Sequence, residues 1–335
     1  MKSVGKMFLV LLVVMALVLT GCSSTQPAAP QGETPEPQQQ AAFPTKAIEI
    51  YCPHSAGGGS DIYARTVANI LTKHKIVNVP VTVTNKPGVA EGMRYMYEKK
   101  GDGHTLMTVT GGFITQSLVS DVGLKPSDFT ILAQMATDPF IFLVRKDSEF
   151  KTFQDLVEFG KKNPGAIKVG VTSLGESEHC FVERIAEAAG VQVTVVPFQG
   201  GGEVTAALLG GHIHTTPGNP SENVGQIEAG EVRGLAINTD ERHPKLPDVP
   251  TLAECGIPVK QKHFRGLIAP PDLPADQLAF WNDALSRVAE TPDWAEYVEQ
   301  NMLEPDYIGS EEFTKHMNEL TPIFESILKR AGILK

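Results

Sequence analysis

The segment Pro53-His54-Ser55-Ala56-Gly57-Gly58-Gly59-Ser60-Asp61 joins an alternating apolar run to a run with helical spacing. Consecutive glycines let backbone N–H groups turn toward a bound group with no Cβ in the way. The helix that follows adds unpaired donors and a partial positive charge at its N-terminus, and Ser60 is placed to cap it. This equipment suits a carboxylate or a phosphate. The segment lacks the lysine of the phosphate-loop pattern G-x-x-x-x-G-K-S/T and does not match the dinucleotide pattern G-x-G-x-x-G. Similar turns recur before helical segments at Pro87-Gly88, at Thr172-Ser173-Leu174-Gly175 and at Gly200-Gly201-Gly202. Several helix entrances around one crevice would make an anion clamp at the C-terminal ends of parallel strands, where open α/β sheets bind ligands.

Residues for catalysis are thin by comparison. No G-x-S-x-G nucleophile elbow is present. His212 and His214 would share one face of a short strand, but no third ligand accompanies them, so no metal site is expected. His179 and Cys180 are neighbours that point apart on a helix, and Cys180 reads as a core residue. Asp61 reads as a first-turn helix residue that can also touch a ligand amine or hydroxyl. No cofactor is implied. A secreted hydrolase or lyase on the same scaffold is the distant alternative, and it lacks a nucleophile, base or metal set.

The elements that must position these turns alternate along the chain. Ile48, Ile50 and Cys52 alternate as in a strand, and Tyr63, Val67, Ile70 and Leu71 share one helix face. A strand at 79–83, a helix at about 91–100 and a strand at 105–109 follow. This β-α-β-α-β order predicts a parallel sheet covered by helices. The pattern restarts after 140–144. Thr152 and Asp155 resemble a capping box for a helix ended by Asn163-Pro164-Gly165. A strand at 167–171, a helix ended by Gly190, a strand at 192–196 and a short helix ended by Gly210-Gly211 come next. Further strands are expected at 213–215 and 233–237. The last third reads as helices at about 275–290, 294–301 and 310–331, with Ser310 as an N-cap, packed back on the first unit. A strand at about 264–269 is the return crossing.

Lys2 and Lys6 precede an unbroken apolar run from Phe8 to Leu19, and Leu19-Thr20-Gly21-Cys22 follows. That order reads as a bacterial lipoprotein signal over 1–21, with Cys22 lipidated. Residues 22–42 hold no large apolar side chain and read as a flexible tether. The expected location is therefore extracytoplasmic, anchored to a membrane by lipid. The 335 residues carry a net charge of −10, which argues against a nucleic-acid partner and requires any anion site to be built locally. Cys52, Cys180 and Cys255 remain after Cys22, an odd number that rules out a complete disulfide framework and leaves room for one pair or for three core thiols.

Many segments in order resemble one family. They include Phe43-Pro44-Thr45-Lys46, the Pro53–Asp61 turn, Asn85-Lys86-Pro87-Gly88, Gly101-Asp102-Gly103-His104-Thr105-Leu106 and Val196-Pro197-Phe198-Gln199-Gly200-Gly201-Gly202-Glu203. Leu208-Leu209-Gly210-Gly211-His212, Asn219-Pro220-Ser221-Glu222, Pro247-Asp248-Val249-Pro250-Thr251-Leu252 and Phe264-Arg265-Gly266 extend the match over about 43–334. They are similar to the extracytoplasmic receptors of tripartite tricarboxylate transporters, the Bug-type receptors.

The resemblance implies an α/β chain with a type II periplasmic-binding-protein fold, two α/β domains closing around a ligand cleft. Domain I would be 43–142 plus 262–335 and domain II 143–261, with hinge crossings at Phe140–Val144 and Lys262–Arg265. It further implies a small organic acid as ligand, delivery to the permease subunits of such a transporter, no chemistry and a monomer. Carried over by position, Ser55, Ala56, Gly58, Gly59, Ser60, Asp61, Pro87, Gly88, Val89 and Gly112 would meet the ligand from domain I. Thr172, Ser173, Gly200, Gly201, Gly202 and Asn219 would meet it from domain II. A receptor that presents its loaded form to a membrane sensor kinase is the alternative within the fold. The chain departs from the family pattern at His54, at Val89-Ala90-Glu91-Gly92 and at His214, which bears on the choice of acid.

Overall fold

A computed structural model of the chain describes residues 43–198, 200–259 and 261–334. The signal, Cys22 and tether segments read from the sequence lie outside these residues. The alternation of Ile48, Ile50 and Cys52 becomes β1 (Ile48–Cys52), with those three in one core and Tyr51 in another across the strand. Two neighbours, β2 (Val81–Asn85) and β3 (Thr105–Val109), run parallel to it. With β4 (Thr130–Asp138) and β10 (His263–Ala269) they form a sheet in the order β2-β1-β3-β10-β4, in which β10 is antiparallel to both its neighbours. One face is covered by α1 (Gly59–Lys73), α8 (Ala275–Ala289) and α9 (Pro292–Gln300). The other is covered by α2 (Val89–Glu98), α3 (Gly111–Val119) and α10 (Ser310–Arg330).

A second lobe repeats the plan. Its parallel pair is β6 (Ile167–Val171) with β7 (Val193–Pro197), and β5 (Ile141–Arg145) lies antiparallel between β8 (Thr216–Gly218) and β9 (Val232–Ile237). A parallel bridge from Val169 to Thr215 joins the two sets. The resulting order, β7-β6-β8-β5-β9, mirrors β2-β1-β3-β10-β4. Each lobe therefore receives one antiparallel strand directly from the other, β5 after Pro139-Phe140 and β10 after Gln261-Lys262. Its helices are α4 (Phe153–Lys162), α5 (Ser177–Ala189), α6 (Gly201–Leu209) and α7 (Pro220–Glu228). Phe140, Phe142, Phe153 and Phe181 pack in its core, and Phe140 stacks on Phe181 at 4.6 Å.

Local signals explain most boundaries. Thr152 and Asp155 form the expected capping box, Thr152 Oγ1 accepting from Asp155 N at 3.1 Å and Asp155 accepting from Thr152 N at 2.9 Å. Gly190 ends α5 in a left-handed conformation. Other expectations need correction. Ser60 does not cap α1; Gly58 precedes the helix and Ser60 lies inside it. Ser310 is likewise the first residue of α10 after Gly309, and its hydroxyl donates to Ile131 O at 2.6 Å, tying the helix to β4. The strand expected at 213–215 forms at Thr216–Gly218, and α3, β4 and α7 were not anticipated. Cys52, Cys180 and Cys255 are free thiols, the first two buried. No described helix is long and apolar enough to cross a membrane.

Trp281 anchors α8 to the loop before β3. It is fully buried, touches Phe43 and Phe280 edge-on, and donates its indole N–H to Gly103 O at 2.9 Å. Trp281→Phe keeps an aromatic ring but strands the Gly103 carbonyl. It should lower unfolding stability by about 1–3 kcal/mol in urea titrations; an unchanged midpoint would contradict this role.

Candidate ligand-binding site

The parallel strands of both lobes end at one cavity of ≈ 560 Å³. Six helices begin around it: α1, α2 and α3 after β1, β2 and β3, and α5, α6 and α7 after β6, β7 and β8. Each entrance leaves backbone N–H groups without intrahelical acceptors. The βα order that made the two sheets thus also aims six partial positive charges at one space.

Of the residues singled out from the sequence, Ser55, Ser60, Pro87, Gly88, Val89, Thr172, Ser173, Gly201 and Asn219 line the cavity. Ala56, Gly58, Gly59, Asp61, Gly112, Gly200 and Gly202 are not among its lining residues. Several of these shape the wall from behind. Asp61 is buried and folds back on its own turn, accepting from Gly57 N at 2.8 Å and pairing with Arg65 Nε at 2.9 Å. Gly59 N donates to Glu222 Oε1 across the cleft at 3.2 Å. A Cβ at Gly59 would clash with both Glu222 and Arg265, and one at Gly112 would collide with the Glu176 carboxylate. These two glycines are set by close approach. Asn219 Nδ2 donates to Pro139 O at 3.2 Å, fastening the α7 entrance to the first crossing. His214 lies elsewhere, its Nδ1 accepting from Lys168 N at 3.0 Å.

The lining also contains His54, Glu176, Glu178, Thr216, His263 and Arg265, none of which belongs to the ligand-contact set expected from the sequence. Arg265 and Asp138 are buried at 1% and 0% exposure, and Arg265 Nε and Nη2 both donate to Asp138 Oδ2. Burial opposes the guanidinium charge, but Asp138 outweighs it and raises the pKa. Burial and Arg265 together hold His54 down to about 4, and His263 is lowered for the same two reasons plus His54. Both rings are therefore neutral near pH 7. Glu178 is 8% exposed, and its Oε2 accepts from Thr172 N at 2.6 Å and Thr172 Oγ1 at 2.8 Å. Glu176 Oε1 accepts from Gln116 Nε2 across the cleft at 3.1 Å. Burial pushes both carboxyls up to about 7, against those hydrogen bonds. Thr216 is 2% exposed, lines the cavity and leaves its hydroxyl without a hydrogen-bond partner.

Known proteins share this fold. A family model described as the tripartite tricarboxylate transporter family receptor matches residues 63–333. A Cupriavidus necator UPF0065 protein is 29% identical over 304 residues, covering 90% of this chain and 92% of its own. A solved periplasmic transporter superposes with a TM-score of 0.80 at 29% identity, covering 88% of this chain and 99% of its own. An R. palustris protein solved with adipate gives a TM-score of 0.80 at 27% identity, over 87% and 99% of the two chains. The two-lobed α/β architecture is that of the periplasmic binding proteins.

Two outcomes follow from the electrostatics. Arg265→Met leaves the buried Asp138 carboxylate without its guanidinium and should cost about 3–5 kcal/mol of stability; a loss under about 1 kcal/mol in chemical denaturation would show that the pair is dispensable. The Glu178 carboxyl is raised from 4.5 in an unfolded chain to about 7 when folded. Its ionisation therefore costs nothing below 4.5 and reduces stability progressively as pH rises through that window, by on the order of 3 kcal/mol once complete. Glu178→Gln keeps an acceptor for Thr172 and removes the penalty. The stability of the variant relative to the parent should climb between pH 5 and pH 8; a constant difference would refute the assignment.

Proposed function

The chain belongs to the tripartite tricarboxylate transporter family of receptors, and from that premise we propose that it captures a small carboxylate outside the cytoplasm and hands it to the membrane subunits of such a transporter. The observation that carries this reading is the ≈ 560 Å³ cavity ringed by six helix entrances, three from each lobe. Backbone amides at helix entrances hold an anion with no need for a dedicated cation, which suits a protein of net charge −10. The adipate bound by the R. palustris relative supports an organic acid as the class of ligand. Capture without conversion is the reading, since the lining groups are placed to hold and not to attack.

The lobes are proposed to be 43–142 with 262–335 and 143–261, hinged at the two crossings. Anchoring through Cys22, with 22–42 as a tether, would hold the body near its membrane partner, and a monomer is the expected form. The ligand-contact set of Ser55, Ser60, Gly88, Val89, Thr172, Ser173, Gly201 and Asn219 belongs to the same proposal.

A thermal-shift series with mono-, di- and tricarboxylates and amino acids tests this. A ligand at ~100 times its dissociation constant should add ~2.7 kcal/mol of stability and be recovered unchanged. If no organic acid moves the melting temperature, the receptor reading fails; if an acid is consumed, capture without conversion fails.

A further inference from the structure

Four glutamates line the cavity: Glu91 from α2, Glu176 and Glu178 at the α5 entrance, and Glu222 from α7. Glu91 sets Oε2 against Gly88, and Glu222 Oε1 accepts from Gly59 N across the cleft at 3.2 Å; both residues are exposed. The inner pair is different, with Glu178 buried and Glu176 half-buried. In each of these two carboxyls one oxygen is committed as an acceptor. Glu178 Oε2 takes the amide and the hydroxyl of Thr172, and Glu176 Oε1 takes the Gln116 amide. The second oxygen of Glu176 lies against Gly112 at the α3 entrance. Four carboxylates and a captured anion cannot all keep their charge in ≈ 560 Å³. Like charges so close repel, and an occupant displaces the water that screens them. The charge of Arg265, the guanidinium in the wall, is already matched by Asp138. A glutamate that takes a proton removes one negative charge and gains an O–H donor for a ligand oxygen. Burial already holds the inner pair at about 7, and losing the remaining water to an occupant moves both carboxyls further the same way. The partnerless hydroxyl of Thr216, 2% exposed, is another O–H donor in the same cavity.

We propose that Glu176 and Glu178 hold the captured anion as carboxylic acids, donating O–H hydrogen bonds to its oxygens, so that the anion binds together with a proton drawn from solvent. This rests on the reading of the cleft as an organic-acid site and adds two specificity-determining residues and a proton to it. The buffer acid supplies the proton as the ligand enters and takes it back on release. The hydrogen bonds from Thr172 and Gln116 survive the change, because the proton sits on the other oxygen of each carboxyl. Binding raises the carboxyl pKa, so affinity is fullest at low pH and falls as pH rises through the range above about 7. The receptor would hold its acid more tightly in acidified surroundings and release it more readily in alkaline ones. The groups facing this pair from other elements are Glu91 on α2, Glu222 on α7, Arg265 and His263 on β10, and His54 before α1. Cys180, on the same helix, is pushed up to about 12 and stays a thiol. Both imidazoles are neutral near pH 7, and an anion beside them would also draw protons. Substitution of the glutamates separates the two sources.

Calorimetric titration of the full-length protein with succinate, malate, adipate, benzoate and glutamate, at intervals from about pH 6.5 to about pH 8.5, tests this. The carboxyl groups of these compounds are ionised across that window, so a proton taken up comes to rest on the protein. For a compound that binds, Kd should rise about tenfold over the window. Titrations in two buffers of different ionisation enthalpy should show uptake of about one proton per ligand near pH 7.5. Gln offers a permanent N–H donor where the protonated acid offers O–H. The double variant Glu176→Gln/Glu178→Gln should therefore lose most of the slope and of the proton uptake, and bind more tightly than the wild type at pH 8.5. Each single substitution should remove part of both signals, which covers a double variant that does not fold. An affinity that stays flat across the window, or protons released on binding, overturns the proposal and leaves the receptor reading standing. Proton uptake undiminished by the substitutions assigns it to the imidazoles and overturns the role given to the glutamates. Absence of binding by every compound at every pH overturns both readings together.

Discussion

The contact on which the two-lobed architecture depends is the buried ion pair between Asp138 and Arg265. Asp138 is the last residue of β4, immediately before the first crossing, and Arg265 lies on β10 just after the second. The pair therefore clamps both crossings to one sheet. A buried pair of this kind contributes little net stability compared with an apolar substitute, but separating it leaves a charge stranded in the interior. Its value lies in fixing geometry. Arg265 packs close to Gly59 at the start of α1, and Pro139, next to Asp138, accepts from Asn219 at the start of α7. Glu222 on α7 returns to Gly59 N and completes a ring of contacts through both lobes. The cavity wall is held at the place where the chain passes between them.

Around that clamp the fold is a duplicated solution to one problem. Three parallel strands with their following helices bury apolar faces on both sides, and an antiparallel strand closes each group. Because β10 follows the second crossing, the sheet of the first lobe is finished only after the chain has passed through the second. The same connectivity brings the C-terminal ends of both sets of parallel strands to one space. Folding and ligand capture share one arrangement, since the amides left over by the helices are those that the cavity presents.

Local chemistry written within a few residues was legible in the sequence. The Ile48, Ile50 and Cys52 alternation, the Thr152–Asp155 box and the Gly190 stop depend on neighbours only. The glycine turns at Gly58, Gly88 and Gly201 could be placed at helix entrances for the same reason. The elements that escaped notice had weaker local signals. β4 is buried along nearly its whole length, so it shows no alternation between apolar and polar residues. α3 opens with Gly111-Gly112, poor helix formers placed there because α5 and Glu176 crowd them. Arg265 and Asp138 are 127 residues apart, and nothing in either neighbourhood announces the other. Nothing in the sequence around Glu176 and Glu178 shows that they line a cavity, because the facing wall comes from residues distant in the chain. Ser310 shows the converse error. A serine beside a helix start suggests a cap, but its hydroxyl finds a better partner in the Ile131 carbonyl of the adjacent strand.

The charge of the whole molecule and the charge of the cleft bear on the same question. A protein at −10 repels a di- or trianion at long range, and screening at physiological salt removes that repulsion only beyond about 8 Å. Near the mouth, Glu222 adds to it. Helix entrances offset the repulsion at short range, but those of α1, α2, α3, α5 and α6 already have glutamate oxygens close by. What remains is a cavity with carboxyls on both sides, Glu91 at the α2 entrance and Glu176 and Glu178 at the α5 entrance. An anionic ligand therefore gains only where its oxygens reach amides that these carboxylates leave open, so the lining carboxyls, and not the helix dipoles alone, set how much charge the cleft accepts.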